Sequence, residues 1–213
     1  MNFYLHNGVH MKKGIAKVNT EVRREQIKQA TFNILANQGV KGLTISSIAE
    51  KVGVSEANLY RHFKNKKEIL AYAVESIGEG LQQNLRKIKN TRTTNPMKQL
   101  KRLFRLHLEY IETNEGIPHL VFSEELHKGN PDMRNKLLNG INTYAREIEL
   151  LMKQGQEDGS IHRGIDTHAF SFTLIGMVQI STIMWLLNDF SSSLVLDGMK
   201  LWNSFEKCMA VKK

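Results

Sequence analysis

The chain has 213 residues, with 30 Lys and Arg, 21 Asp and Glu and one cysteine, and its formal net charge is +9. The single cysteine, Cys208, excludes an intrachain disulfide framework and is typical of a reducing cytoplasm. The charge is uneven: residues 1–70 carry 12 basic and 5 acidic side chains, and the remaining 143 residues carry 18 and 16. This distribution favours nucleic-acid binding by the N-terminal third and a different role for the rest.

Residues 1–18 show no helical or strand periodicity, and we predict a flexible N-terminal arm there. Lys12 and Lys13 resemble the basic start of a secretory signal, but no apolar run follows them. Met11 is an alternative natural start. We therefore expect no signal peptide and a cytoplasmic location.

From Thr20 onward the apolar residues recur at helical spacing, the chain has only three prolines, and no strand pattern competes. The fold class is therefore predicted to be all-α, with about nine helices. Asn95-Pro96 and Asn130-Pro131 each have the pattern of a cap residue followed by proline at the first helical position. The predicted helices cover residues 20–38, 44–52, 55–63, 66 to about 90, 96–111, 117 to about 129, 131 to about 158, 167 to about 189 and 194 to about 211.

Residues 42–70 carry the most specific signal, which is a pair of short helices joined by a glycine turn. Thr44 can cap the first helix, and Gly53 can end it because glycine adopts a left-handed backbone without steric cost. Ser55 can then cap a second helix of barely two turns, with Leu59 on its buried side. This layout is typical of a helix-turn-helix, whose second helix enters the DNA major groove.

The same stretch resembles the DNA-binding domain of TetR-family transcriptional repressors, over roughly residues 20 to 75. This resemblance implies a three-helix DNA-binding domain over residues 19–65 and a larger helical domain over residues 66–213 that binds an effector and dimerises. The matching residues are Ile27, Ala30, Ile34, Leu35, Gly39, Thr44, Ile48-Ala49, Gly53-Val54-Ser55 and the run LYRHFKNK from Leu59 to Lys66.

The start of the recognition helix is predicted to approach base edges. Asparagine can pair bidentately with adenine, and glutamate can accept a hydrogen bond from cytosine. The expected base-reading residues are Ser55, Glu56, Ala57 and Asn58. By resemblance and by chemistry, the expected phosphate contacts are Thr44, Ser46, Tyr60, His62 and Lys66. Two copies related by a two-fold axis would read an inverted repeat in double-stranded DNA.

Predicted helices four to seven lie between the DNA-binding helices and the C-terminal pair. In the family this region encloses an effector pocket, and the resemblance implies a small-molecule effector here. Aromatic residues and nine methionines suit a small, largely apolar ligand, and they equally suit an ordinary packed core. The expected ligand contacts are Phe104, His107, Tyr110, Phe122, Tyr144, Ile148 and Phe170.

Residues 169–187 carry no charged side chain, so a membrane span is one interpretation of the eighth helix. Its Ser, Thr and Gln residues and its acidic or polar flanks favour a soluble helix that is buried on two sides. The family resemblance implies that the eighth and ninth helices form a homodimer interface, while some of their bulky residues fill the monomer core. The candidate anchors are Trp185, Leu186, Phe190, Leu194, Leu201, Trp202 and Phe205.

Catalytic motifs are absent from the sequence: it has no phosphate-binding glycine loop and no nucleophile elbow. Residues 124–127 and 162–168 have a metal-like composition, but their spacing does not supply a ligand geometry. We therefore predict no enzyme activity, no metal and no cofactor.

The expected function is a dimeric transcriptional repressor that an effector releases from a palindromic operator. Two alternatives stay open. One is a DNA-binding protein of the same fold that acts in nucleoid organisation or through a protein partner. The other is a helical enzyme or transporter-like protein in which the motif is a coincidence.

Overall fold

The computed structural model describes residues 19–90, 95–129 and 131–211, so the predicted arm and Asn130 lie outside the described residues. Within these ranges the chain is all-α, which confirms the predicted fold class and helix count. The nine α-helices are α1 (Thr20–Gly42), α2 (Ile45–Val52), α3 (Glu56–Tyr60), α4 (Lys66–Lys89), α5 (Pro96–Glu112), α6 (Gly116–Val121), α7 (Pro131–Glu157), α8 (Thr167–Leu187) and α9 (Leu194–Met209). A π-helical turn (Glu125–Gly129) lies between α6 and α7.

The helix caps of the helix-turn-helix form as predicted. The Thr44 hydroxyl accepts a hydrogen bond from the Ser47 N–H at 3.0 Å, and the Ser47 hydroxyl accepts one from the Thr44 N–H at 2.9 Å. Gly53 is left-handed, with φ +75°, and ends α2. The Ser55 hydroxyl accepts from the Asn58 N–H at 3.3 Å and begins α3. These local bonds satisfy backbone donors that a helix end otherwise leaves open.

The end of α1 differs from the prediction. Helix α1 continues to Gly42, whereas the sequence predicted its end at Gln38. However, Gly39 has φ +64° and ψ −170°, which is not a helical backbone. The regular helix therefore breaks at this glycine, and the last residues of α1 form a separate turn.

The sixth helix is shorter than predicted, since it ends at Val121 rather than near residue 129. The Ser123 hydroxyl donates to the Leu120 carbonyl at 2.7 Å and accepts from the Leu126 N–H at 3.3 Å. A serine that bonds the local backbone in this way competes with helical hydrogen bonds. The chain consequently leaves the α-helix and re-forms as the π-helical turn.

Two hydrophobic cores organise the chain, and α4 crosses from one to the other. Its first turns, from Ile69 to Ile77, pack in a core with α1, α2 and α3. Its last turns, at Leu85 and Ile88, pack in a second core with α5, α7, α8 and α9. The first core also contains Ile117 of α6, so the DNA-binding helices are packed directly on the C-terminal helices. The domain boundary after residue 65 stays a prediction.

Helix α8 is the one described helix that is long and apolar enough, by length and composition, to cross a membrane. It packs against α7 and α9, yet much of its surface remains open. Large apolar side chains exposed on α8 and α9 are Phe172, Ile180, Met184, Leu187, Leu196 and Leu201. Several exposed apolar side chains on one pair of helices are typical of a contact site for a protein or a membrane.

Candidate DNA interface and ligand cavity

The recognition helix α3 is short and is held by one buried anchor. Leu59 is fully buried in the first core, which fixes the side of α3 that faces inward. Tyr60, the next residue, is 52% exposed. Ser55, Glu56 and Ala57 are also exposed, so these predicted base-reading side chains are open to a groove.

Asn58 is placed differently from the residues that precede it. It is half-buried, and its side-chain Oδ1 is inaccessible and has no hydrogen-bond partner among the described residues. A bidentate contact with adenine needs both the oxygen and the amide of this side chain, so the side chain would have to rotate outward. Its predicted role in base reading depends on that rotation.

The predicted phosphate contacts differ in their freedom to bind DNA. Ser46 is exposed, whereas the Thr44 hydroxyl is engaged as a helix cap. Lys66 forms an ion pair with Glu125 of the π-helical turn, with 3.4 Å between Nζ and Oε1. This pair joins the first turn of α4 to the C-terminal helices. The sequence carries no sign of it, because the partners are far apart in the chain.

A cavity lies among α4, α5, α6, α7 and α8, where the effector pocket is expected, and its volume is about 50 Å³. It contains four of the seven predicted ligand contacts, and its lining includes no Asp, Glu, Lys or Arg side chain. The lining consists of Ile77, Leu81, His107, Tyr110, Ile111, Ile117, Pro118, Val121, Phe122, Leu137, Ile141, Tyr144, Ile175, Gln179 and Thr182.

Polar atoms of this lining are partly unsatisfied. The rings of His107 and Tyr144 meet edge to face at 5.3 Å, and neither His107 Nδ1 nor Tyr144 Oη has a hydrogen-bond partner among the described residues. Burial lowers the pKa of His107 to about 4, so the imidazole is neutral, and burial also raises the pKa of Tyr144. The Tyr110 hydroxyl, by contrast, donates to the Ser76 carbonyl at 3.3 Å. Buried polar groups without partners are costly, and a ligand can supply the missing partner.

The other three predicted ligand contacts lie outside this lining. Phe104 stacks on Trp202 with ring centroids 5.5 Å apart, and Phe170 stacks on Phe205 at 5.4 Å. Ile148 is fully buried in the second core. The lining also includes Ile117 of α6 and Gln179 of α8, which the sequence did not indicate. The sequence does not show which side of a helix faces a cavity.

The candidate dimer anchors divide into two groups. Trp185, Leu194, Trp202 and Phe205 are buried in the single chain, which agrees with the expectation that some anchors fill the monomer core. Leu201 is 41% exposed and lines an open groove of about 280 Å³ on the α8/α9 face. The groove also contains Ile180, Met184, Trp185 and Leu194.

The two segments of metal-like composition have other uses. The Asp166 carboxylate accepts from the His168 and Ala169 N–H groups and caps α8. His168 Nδ1 lies 3.2 Å from Glu149 Oε2. Within the described ranges, no group of three or more His, Cys, Asp or Glu side chains is arranged to hold a metal ion.

Comparisons with known proteins match both parts of this architecture. Residues 27–73 match the family model of bacterial regulatory proteins of the tetR family, and residues 93–188 match the tetracyclin repressor-like C-terminal domain. The nucleoid occlusion factor SlmA of Aliivibrio fischeri is 30% identical over 173 residues, which cover 79% of this chain and 86% of SlmA. The chain belongs to the TetR family.

This TetR-family chain is therefore a DNA-binding transcriptional regulator, as predicted. The fatty acid metabolism regulator protein of Bacillus subtilis is 25% identical over 171 residues, which cover 80% of this chain and 87% of that protein. The crystal structure of FadR from Bacillus subtilis with stearoyl-CoA has a TM-score of 0.70 at 23% identity, covering 86% of this chain and 95% of FadR. A regulator from Saccharomonospora viridis in complex with choline has a TM-score of 0.77 at 19% identity, covering 90% of this chain and 100% of that regulator. These two structures support the fold.

Proposed function

We propose that this protein is a cytoplasmic, dimeric repressor that leaves an inverted-repeat operator when a small, uncharged and largely apolar molecule enters the cavity. The observation that carries this proposal is the lining, which has no ionised side chain and has unpartnered polar atoms at His107 and Tyr144. A ligand with a hydroxyl or carbonyl group would satisfy these atoms. An ionised ligand would lose its hydration there without gaining a counter-charge.

Ligand entry requires the cavity walls to move. Pockets that enclose drug-sized ligands hold about 300–1,000 Å³, whereas this cavity holds about 50 Å³. One wall is α6, which packs along α1. Gly116 at the start of α6 lies so close to the Phe32 backbone that a side chain there would collide with it. Outward movement of α6 would therefore push on α1 and on the DNA-binding core.

Release then follows from a difference in ligand affinity between two conformations. A ligand weakens DNA binding only if it binds the released conformation more tightly than the DNA-binding one. A tenfold preference shifts the balance by about 1.4 kcal/mol, and the operator weakens ligand binding by the same factor.

Dimerisation is proposed to occur through the apolar α8/α9 face. A two-fold pair would cover the exposed Leu187, Leu196 and Leu201 side chains, which water surrounds in a single chain. It would also present two copies of α3, spaced by about 34–36 Å or a larger helical repeat of DNA. An α3 of five residues offers few contacts alone, and two copies double them.

The test begins with selection of bound sites from genomic DNA, followed by fluorescence anisotropy on the recovered operator. We would add 1-decanol as an uncharged amphiphile, decanoate as its ionised counterpart, and stearoyl-CoA because FadR was crystallised with it. We expect the alcohol to release DNA from the wild type and to be less effective on Tyr144→Phe, which keeps the ring and removes the hydroxyl. Release by decanoate or stearoyl-CoA with no effect of Tyr144→Phe would contradict the uncharged-ligand proposal.

A second candidate function is effector-independent DNA binding in nucleoid organisation. Two observations favour it: the 30% identity to a nucleoid occlusion factor and the small volume of the cavity. Selected sites spread around the chromosome, together with no release by the three probes, would support this alternative. Sites confined to a few promoters would support the repressor.

A further inference from the structure

The beginning of α1 is fixed beside the end of the recognition helix. The Arg24 guanidinium carbon lies 4.5 Å from the ring centroid of Phe63 and 4.6 Å from that of Tyr72. The two rings are themselves in contact, with centroids 5.4 Å apart. The guanidinium therefore lies over both rings, within the distance of a cation–π interaction, and this fixes its position. Arg24 thereby places its neighbour Arg23 next to the segment 61–63 that follows α3.

This edge of the DNA-binding domain carries uncompensated positive charge. Arg61 is exposed at the C-cap of α3, and Arg23 is half-buried on α1. In the described part of the chain, neither arginine has a carboxylate within ion-pair distance, whereas Lys28 pairs with Glu25 at 2.7 Å. Positive charges without a counter-ion favour an external anion.

His62 directly follows Arg61 in the chain and is half-buried. Its Nδ1 is buried and has no partner among the described residues. Burial lowers the pKa of His62, and the charges of Arg23, Arg61 and Arg24 lower it further, which agrees with their being close. Arginine supplies several donors in a planar fork that matches phosphate oxygens.

We propose that Arg23 and Arg61 form a phosphate-binding site for the DNA backbone beside the recognition helix and next to His62, and that Arg24 anchors α1 there. The site rests on the DNA-binding function and adds two contacts that the sequence motif did not indicate. These contacts make up for a weaker phosphate contact by Lys66, because Lys66 forms an ion pair with Glu125. Contacts of this kind set the register of the protein on the duplex and carry no base preference.

The experiment measures the salt dependence of DNA binding for Arg23→Gln, Arg61→Gln and the double variant. Titrations by fluorescence anisotropy would use a selected operator and an unrelated duplex between 50 and 300 mM salt. The dimer carries each residue twice, so each single change should lower the magnitude of the slope of log K against log salt by about 1.8 and weaken binding about 60-fold at 0.1 M salt, on both duplexes alike. The matched control is Arg102→Gln, an exposed arginine on α5, which should leave the slope unchanged.

Arg61→Lys keeps the charge and should retain the wild-type slope, which separates a charge effect from a folding effect. If the Arg23→Gln variant unfolds, the comparison of Arg61→Gln with Arg61→Lys still tests the proposed site. Slopes equal to that of Arg102→Gln would overturn the proposed site while leaving DNA binding intact. A loss confined to the operator would also overturn it, because that result indicates base reading. A wild-type protein that binds neither duplex would instead refute the DNA-binding function itself.

Discussion

Replacement of Leu201 by alanine tests whether the α8/α9 face is the dimer interface. Leu201 is 41% exposed in the single chain and lines the groove on that face. Complete burial of a leucine side chain contributes about 1.5–3 kcal/mol, so covering the exposed fraction contributes about 0.6–1.2 kcal/mol per chain. A two-fold dimer covers the residue twice. We therefore expect Leu201→Ala to weaken the dimer by about 1.2–2.4 kcal/mol, which raises its Kd about 8- to 60-fold.

Sedimentation velocity over a dilution series measures this Kd directly. The control is Leu150→Ala, which removes a leucine that is 48% exposed on α7, away from the proposed interface. Trp202 is unsuitable as a probe because it is fully buried in the single chain, and its replacement would destabilise the monomer itself. The reasoning fails if Leu201→Ala and Leu150→Ala give the same Kd, or if the wild type is monomeric at micromolar concentration.

Three other changes test the domain contact, the second hydrophobic core and the cavity. Glu125→Gln removes the partner of Lys66 in both subunits, so we expect tighter binding to any DNA at low salt and a salt slope steeper by up to about 1.8; an unchanged slope would mean that Lys66 does not reach phosphate. Phe104→Ala removes a fully buried ring, and the free energy of unfolding in urea should fall by about 3–5 kcal/mol; a loss below about 1 kcal/mol would show that the ring is not tightly packed. Burial depresses the pKa of His107 to about 4, so the unfolded chain binds a proton that the folded chain excludes as the pH falls. Stability should therefore decrease by on the order of 3 kcal/mol from pH 6.5 to 4, and His107→Leu should remove this decrease; equal pH profiles would refute the buried imidazole.

Features that depend on a few neighbouring residues were predictable from the sequence. Thr44, Gly53 and Ser55 cap and end their helices as expected, because the bonds and backbone angles involved span at most a few residues. The helical periodicity likewise located all nine helices. Where a local prediction failed, at the end of α6, a side-chain hydrogen bond of Ser123 competed with the helix, and composition does not rank such bonds.

Features that depend on how the helices rotate against one another were decided only by the tertiary structure. Leu201 and Trp202 are adjacent in a bulky apolar run, yet one is exposed and the other is fully buried. The cavity likewise contains His107 and Tyr144 but not Phe104, which turns toward Trp202. Lys66 matches a family phosphate contact in sequence, and the fold pairs it with Glu125. The physical reason is that the sequence determines which residues are apolar or charged, whereas each residue's neighbours depend on packing between segments distant in the chain.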